Sequence, residues 1–489
     1  MEKRTLLAIM FLVAAPMGCS SENATVSGPG TYRVSQLEDA ENAKDIGLIR
    51  AVFDNDAVLY TTDLMPVRGR SAVSAVYEFV FARGDVERSS YRVDTSFQDQ
   101  NQWVEAGFLT TIKVDQEALR QEFQVVFENG KIVEVTFGDK DSIKRELPQM
   151  LPPTGKNEIG LATRFYDRER SGTGRMLSVQ IWYPTNQASG NPAPFRSRKV
   201  VDAAARFLGM PLFAVSYFAD IPSFSYSDVP VVPNESYPVL LYNHGYGGYT
   251  QVYQSVFEEL ASHGYVVVSV GHENESALLI QQNGEVLATD PHNAFYLKRA
   301  PEISNREIGE YQDIILSSDD ERENHRAYQK LVELSPLHTE SVRLWQSDTE
   351  AAVEKLADIN KTDPLLRGAF DLESMGIFGH SLGGATAGQM AYDSPSIKAG
   401  INLDGFQFGD LINHKLKVPF LFVSSNEEGN RYLRATTFLA GSQAQADQTH
   451  IKGFSHDSFT DLKYILEGNS GAIQIQRDLI RDFFDRWLK

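Results

Sequence analysis

Apolar residues along this chain follow two regimes that meet near residue 157. In the first, helical spacing precedes alternation. Val34 to Val52 spaces Leu37, Ala40, Ala43, Ile46, Leu48, Ile49 and Val52 as one helical face. A turn at Asp54-Asn55-Asp56 leads into a strand through Val58, Leu59 and Tyr60. Ser71 to Ala82 predicts a second helix. Strands then dominate, at 90–93, 102–108, 122–127 and 131–137, and Asn129-Gly130 joins the last two as a hairpin. Helices followed by a curved antiparallel sheet predict a small α+β cone.

From Asn157 onward, strands and helices alternate. Short apolar runs at Gly160–Tyr166, Leu177–Tyr183, Tyr237–Tyr242, Tyr265–Val270, Ile397–Leu403 and Val418–Val423 read as strands. An unbroken apolar run suits a parallel strand covered on both faces. Phe257 to His263, capped by Gly264, and the amphipathic stretch Val342 to Ile359 are helical. Ile473 to Leu488 carries an apolar stripe. The pattern predicts an α/β fold, a mostly parallel doubly wound sheet behind the small α+β domain. Two insertions interrupt it. Residues 192–232 are aromatic-rich, fitting local packing or a lid or acyl-pocket wall. Residues 277–363 are polar and mostly helical, and 317–326 form a solvated charged face.

A chain of 489 residues holds two or more domains. Prolines 148, 152 and 153 mark 140–156 as a linker. The formal net charge of −19, with no basic cluster, excludes a nucleic-acid partner. Lys3 and Arg4 precede an apolar run, Leu6 to Ala15, too short to span a bilayer. Gly18-Cys19 follows. Cys19 is the only cysteine, so an intrachain disulfide is impossible. This start resembles the signal and lipobox of a bacterial lipoprotein, with Pro16 where leucine is usual. The resemblance implies export, lipidation of Cys19, a membrane tether through residues 20–30 and a place on the periplasmic or cell-surface side. The alternative is an ordinary cleaved signal peptide and secretion.

The chemistry centres on Gly379-His380-Ser381-Leu382-Gly383, a G-x-S-x-G between an apolar strand and a small-residue helix. Such a serine sits on a strained strand-to-helix turn, and Gly379 and Gly383 leave room for the neighbouring backbone. The turn aims the amide of Leu382 where an oxyanion would form. Upstream, Tyr237–Tyr242 delivers His244-Gly245-Tyr246-Gly247-Gly248, whose backbone offers a second donor, the amide of Tyr246. A serine nucleophile needs a base, and the base an orienting acid, in the chain order Ser…Asp/Glu…His. His456 lies in a loop after the last strand. Its rivals are His450, within a strand, and His414, on the surface. For the acid, Asp404 ends one strand and Glu427 and Glu428 follow the next, and chain order leaves these open. The chemistry calls for no metal and no cofactor.

The blocks "VQIWYP" (179–184), "YNHGYGG" (242–248), "LASHGYVVVSVGHENESA" (260–277), "RLWQSD" (343–348), "GHSLGGAT" (379–386), "NLDG" (402–405) and "FSHDSFTD" (454–461) occur in order. On these, residues 157–489 resemble the plasma-type platelet-activating-factor acetylhydrolases, serine esterases of the α/β-hydrolase fold. The resemblance implies Ser381 as nucleophile, His456 as base, Asp404 as acid, and the amides of Tyr246 and Leu382 as oxyanion donors. It implies a small-molecule or lipid ester as substrate. The long polar insertion and the fused first domain depart from the family and leave the particular ester open. Residues 31–139 are similar to SnoaL-like domains of the ketosteroid-isomerase superfamily through "DNDAVLY", "VRGRSAV" and "ENGKIVEV". An inactive binding module, or a thioesterase or peptidase using the same triad, are the competing functions.

Overall fold

The computed structural model describes residues 34–489 apart from 62–63, 85, 100–101, 114–117, 139–145, 189, 291, 293–301, 303–304, 319, 426–445 and 468–469. Cys19, Glu427 and Glu428 lie outside the described residues. Contacts divide the chain into two compact units. The first holds the described residues up to Leu147 together with Gly209–Asp220. The second holds Pro148–Leu208 and Ile221–Lys489.

The first unit opens with α1 (Ser35–Ala43) and α2 (Ile46–Val52), then β1 (Phe53–Thr61), β2 (Val67–Arg68), α3 (Arg70–Arg83), and the strands β3 (Val86–Asp99), β4 (Gln102–Lys113), β5 (Leu119–Glu128) and β6 (Lys131–Phe137). The single helix expected over 34–52 is split. Lys44 takes a left-handed conformation (φ 52°) and ends α1, and the Asp45 carboxylate caps α2 by accepting from Gly47 N and Leu48 N. The turn expected at Asp54–Asp56 is already strand, with a register shift between Phe53 and Val58. The sheet order is β2-β1-β6-β5-β4-β3, antiparallel except for the parallel pair β1–β6. Leu37, Ile49, Phe53, Val73, Tyr77, Phe123, Val125 and Val135 form its buried core. Phe213 joins that core, with its ring 5.7 Å from Phe79. The aromatic-rich stretch 192–232 is therefore not one insertion, because 209–220 packs into the first unit.

The second unit begins earlier than the expected linker allows. Leu151 O and Pro152 O accept from Arg477 at 2.8 and 3.1 Å, and Thr154 N donates to Glu259 at 2.8 Å. Its elements run β7 (Glu158–Tyr166), β8 (Leu177–Thr185), α4 (Arg198–Leu208), β9 (Ser225–Ser227), β10 (Tyr237–Asn243), α5 (Gln254–Ser262), β11 (Val266–His272) and the hairpin β12 (Leu278–Ile280) and β13 (Val286–Ala288). Then come α6 (Arg306–Ser317), α7 (Glu321–Glu333), α8 (Pro336–Thr362), β14 (Phe370–His380), α9 (Leu382–Asp393), β15 (Ile397–Leu403), β16 (Phe420–Ser424), β17 (Ala446–His450), α10 (Asp461–Glu467) and α11 (Ser470–Leu488). Nine strands form one sheet, in the order β17-β16-β15-β14-β10-β11-β8-β7-β9. From β17 to β11 all neighbours are parallel.

Alternation along these strands feeds two cores. On one face Val239, Leu241, Met375 and Ile377 pack with Val342, Trp345 and Leu356 of α8 and Ala385 and Met390 of α9. On the other, Leu240, Tyr242 and Phe378 pack with Val256, Phe257 and Leu260 of α5 and Ile480 and Phe484 of α11. Helices on both faces of a mostly parallel sheet give the α/β-hydrolase fold. In such a sheet the carboxyl ends of β10, β14 and β15 share one edge, where a site forms.

Candidate active site

Strand β14 ends at His380 and α9 begins at Leu382. The residue between them, Ser381, has φ 57° and ψ −121°, a conformation non-glycine residues rarely adopt. The glycines beside it permit the turn. A Cβ on Gly383 would lie 2.0 Å from Asn243 O, and one on Gly379 would lie 2.2 Å from Gly383 O. Ser381 N donates to Leu403 O at 2.9 Å, which ties the elbow to the end of β15. Leu382 is the first residue of its helix, where an amide has no carbonyl one turn earlier to bond.

The residue after Leu403 is Asp404, itself at φ 55°. Its amide donates to Val423 O at 2.7 Å, and its Oδ1 accepts from Ser425 N at 2.8 Å. The Asn402 side chain braces the turn through Gly405 N (2.8 Å) and Gly405 O (3.0 Å). Asp404 Oδ2 lies 2.7 Å from Nδ1 of His456. Burial pushes the Asp404 carboxyl up. The hydrogen bond and charge of His456, with the Ser425 amide, outweigh this and hold it below the usual carboxylate range. An ionised acid then places the neutral imidazole proton on Nδ1 and leaves Nε2 as an acceptor.

The structure joins Asp404 and His456 directly, and brings Ser381 beside them through the backbone. His380 supplies the second link. Its Nε2 lies 3.0 Å from the carbonyl of His456, and the two rings are 4.5 Å apart. Burial, with the charge of His456, drives the pKa of His380 down to about 3, so the ring is neutral and donates from Nε2. No hydrogen bond joins the Ser381 hydroxyl to His456, whose side chain is half exposed. In unliganded sites this contact is often long and tightens when substrate binds. His450 ends β17, and exposed His414 stacks on Tyr392.

The glycine-rich turn after β10 lies against the elbow. A Cβ on Gly245 would sit 3.3 Å from Ser381 Cβ and 3.0 Å from His380 Nδ1. Gly247 (φ 73°) donates to Glu275 O at 2.9 Å, and Gly248 N donates to Gly245 O at 2.8 Å. These bonds fix the turn that carries Tyr246. Among the described residues no group of three His, Cys, Asp or Glu side chains could hold a metal ion.

Sequence reasoning missed His380 and a buried polar network behind the turn. His272, at the end of β11, lies flat on Trp345, 4.0 Å between ring centres and 8° between planes. Its Nδ1 is 3.0 Å from Asp348, which pairs with Arg175 at 3.1 Å. Burial, aided by Arg175, pushes the pKa of His272 far down, so its ring is neutral and donates from Nδ1. Asn243 Oδ1 lies 2.9 Å from both His272 Nε2 and Thr349 Oγ1, while its Nδ2 has no partner. The Thr349 hydroxyl gives its proton to Trp345 O at 2.6 Å, so neither neighbour has one left for Oδ1. With the amide turned over, its NH2 donates to both. The signal for this network was a histidine and acids inside the "GHENESA" and "RLWQSD" blocks, but nothing in spacing shows that they meet.

Comparison with known proteins places the site in context. Residues 154–473 match the family model "Platelet-activating factor acetylhydrolase, isoform II". A platelet-activating factor acetylhydrolase of Cavia porcellus is 27% identical over 58% of this chain and 60% of its own length. The one of Bos taurus is 22% identical over 63% of this chain and 68% of its own length. The chain thus spans about three fifths to two thirds of these relatives. A ferulic acid esterase structure from Streptomyces cinnamoneus superposes with a TM-score of 0.52 over 70% of this chain and 93% of that one, at 20% identity. That likeness concerns the fold.

Proposed function

The chain belongs to the platelet-activating factor acetylhydrolase isoform II family, and from that premise we propose that it is a serine carboxylic-ester hydrolase acting on short-chain acyl or lipid-type esters. The observation that carries the reading is the 2.7 Å contact between Asp404 and His456 beside a serine held at φ 57°. Nε2 of His456 takes the proton of Ser381 as the hydroxyl attacks the ester carbonyl. The amides of Tyr246 and Leu382 hold the oxyanion of the tetrahedral intermediate. His456 then protonates the leaving alcohol, and the acyl group stays on Ser381. Water, deprotonated by His456, attacks the acyl-enzyme and releases the acid. Asp404 keeps the imidazole tautomer and stabilises the imidazolium. The acetyl group in the relatives' name supports a short acyl chain.

Hydrolysis of a short p-nitrophenyl ester tests this. Ser381→Ala and His456→Ala lower kcat by roughly 10⁴-fold or more, with folding intact by circular dichroism. Asp404→Asn costs more activity than Glu427→Gln or Glu428→Gln, and the reverse order moves the acid to the glutamates. The expected start of the chain gives a further proposal: export, lipidation at Cys19 and membrane tethering. Cys19→Ser then shifts the protein from the membrane fraction to the soluble one. The helix-first, sheet-last order of the first unit supports a SnoaL-like domain there with a spacer, ligand or partner role rather than a catalytic one.

A further inference from the structure

A peptide group points its N–H and its C=O in opposite directions when trans, and the described residues have no cis peptide bond. The Gly245–Tyr246 peptide therefore aims the Tyr246 N–H away from wherever the Gly245 carbonyl is held. That carbonyl is held twice. Gly248 N donates to it at 2.8 Å, and Nδ1 of His244 lies 2.7 Å away.

The proton on His244 follows from the partners on the two sides of its ring. Nε2 lies 2.7 Å from Ser276 Oγ. The Gly245 carbonyl can only accept, so the single proton of the neutral ring sits on Nδ1 and Nε2 accepts from Ser276 Oγ, which itself accepts from the His272 backbone N–H at 2.7 Å. Burial, with His272 nearby, lowers the pKa of His244 to about 3 and keeps the ring neutral across the working range. The ring cannot swing. It is fully buried and packs edge-on against His272 at 5.2 Å and Trp345 at 5.1 Å.

We infer that His244, with its ring held by Ser276, is a positioning residue of the oxyanion hole: it pins the Gly245 carbonyl and so aims the Tyr246 amide at the oxyanion formed by Ser381. The inference rests on the esterase reading above. His272 contributes at one remove. Its backbone N–H donates to the Ser276 hydroxyl oxygen and fixes where that hydroxyl sits, and its side chain is locked by Asp348 and Asn243. The blocks "NHG", "HENES" and "RLWQSD" thus meet in one device behind the glycine turn.

The test uses full-length protein and p-nitrophenyl acetate. His244→Leu is expected to lower kcat by roughly 10²-fold, the loss typical of an oxyanion donor, with KM within about threefold of wild type. His244→Asn, whose amide N–H falls near the place of Nδ1–H, recovers at least about tenfold of that loss. Ser276→Ala, a smaller change, lowers kcat in protein that stays folded by circular dichroism and carries the test should His244→Leu fail to fold. Nitrogen-15 spectra of the wild type show the His244 proton on Nδ1. The inference is overturned by His244→Asn performing no better than His244→Leu, by Ser276→Ala at wild-type kcat, or by a proton on Nε2. An inactive Ser381→Ala beside a fully active His244→Leu overturns this inference alone. A Ser381→Ala that turns over at the wild-type rate overturns the esterase reading beneath it as well.

Discussion

Replacing Gly383 by alanine adds one carbon at the most crowded point of the elbow. The new Cβ would sit 2.0 Å from Asn243 O, 2.5 Å from Asn243 C and 2.5 Å from His244 O. All three are backbone atoms, so no side chain can rotate away. A carbon tolerates approach to about 3 Å at best, so α9 and the end of β10 must separate by roughly 1 Å. One carries Leu382 and the other leads directly into Tyr246, so the two proposed oxyanion donors move apart. A displacement of that size lowers kcat by roughly 10²-fold. The overpacking itself destabilises by about 1–3 kcal/mol, seen as a fall of several degrees in melting temperature. The assay is p-nitrophenyl acetate turnover beside thermal unfolding, with Gly309→Ala on α6 as the control. Nothing lies within 4 Å of a Cβ at Gly309. Alanine there stabilises the helix by about 0.5–1 kcal/mol and leaves kcat unchanged. A Gly383→Ala protein with wild-type kcat and melting temperature would refute the steric reading of the elbow.

Two further expectations concern stability. Asp363 pairs both carboxylate oxygens with Arg164 at 2.8 and 2.9 Å, with both side chains about nine-tenths buried, and Oδ1 also accepts from Leu365 N. Asp363→Ala leaves the guanidinium buried and unpaired and destabilises by about 3–5 kcal/mol, measured by denaturant unfolding. In the first unit Glu41 is buried against the Tyr91 hydroxyl at 2.7 Å, and burial raises its pKa from 4.5 to about 7. Because the folded value exceeds the unfolded one, its contribution is full below about pH 4.5 and is lost as pH rises through about 7. The loss is on the order of 3 kcal/mol. Unfolding at pH 5 and 8 should show that decline in the wild type and little of it in Glu41→Gln, and equal slopes would count against it.

The parallel sheet was legible because its strands are unbroken apolar runs. Leu240, Leu241 and Tyr242 are buried from opposite faces, and nothing polar interrupts them. The elbow was legible because glycine is required at fixed offsets. The acid was not decided by chain order, since Asp404 and Glu427 both follow strands that end at the same edge. Register puts Asp404 next to the nucleophile: His380 pairs with Leu403, so the residues after each, Ser381 and Asp404, stand side by side. The break at Lys44–Asp45 could have been read from an aspartate two residues before Gly47, but the apolar spacing runs through it. Residues 209–220 deceived for a different reason. Apolarity shows that a segment is buried and says nothing about which core buries it. His244, His272 and Asp348 were invisible as a group because they lie 28 and 76 residues apart and meet only when β10, β11 and α8 are assembled.

Strain at the edge of this sheet has a common logic. Ser381 and Asp404 each follow a strand end, and each has a positive φ, 57° and 55°. A side chain in that conformation is turned out of the strand's alternation, which is what lifts a hydroxyl and a carboxylate to one place above adjacent strands. Each departure costs on the order of 1–3 kcal/mol and persists only if its surroundings hold it. The backbone does so in series: Ser381 N bonds Leu403 O, and Asp404 N bonds Val423 O, so each strained residue hangs from the next strand. Gly405 closes the chain of constraints, because a Cβ there would stand 2.1 Å from Ser381 O. Only glycine lets the Asp404 turn fold beneath the elbow. The glycine after the acid therefore serves the serine as directly as the two in its own motif.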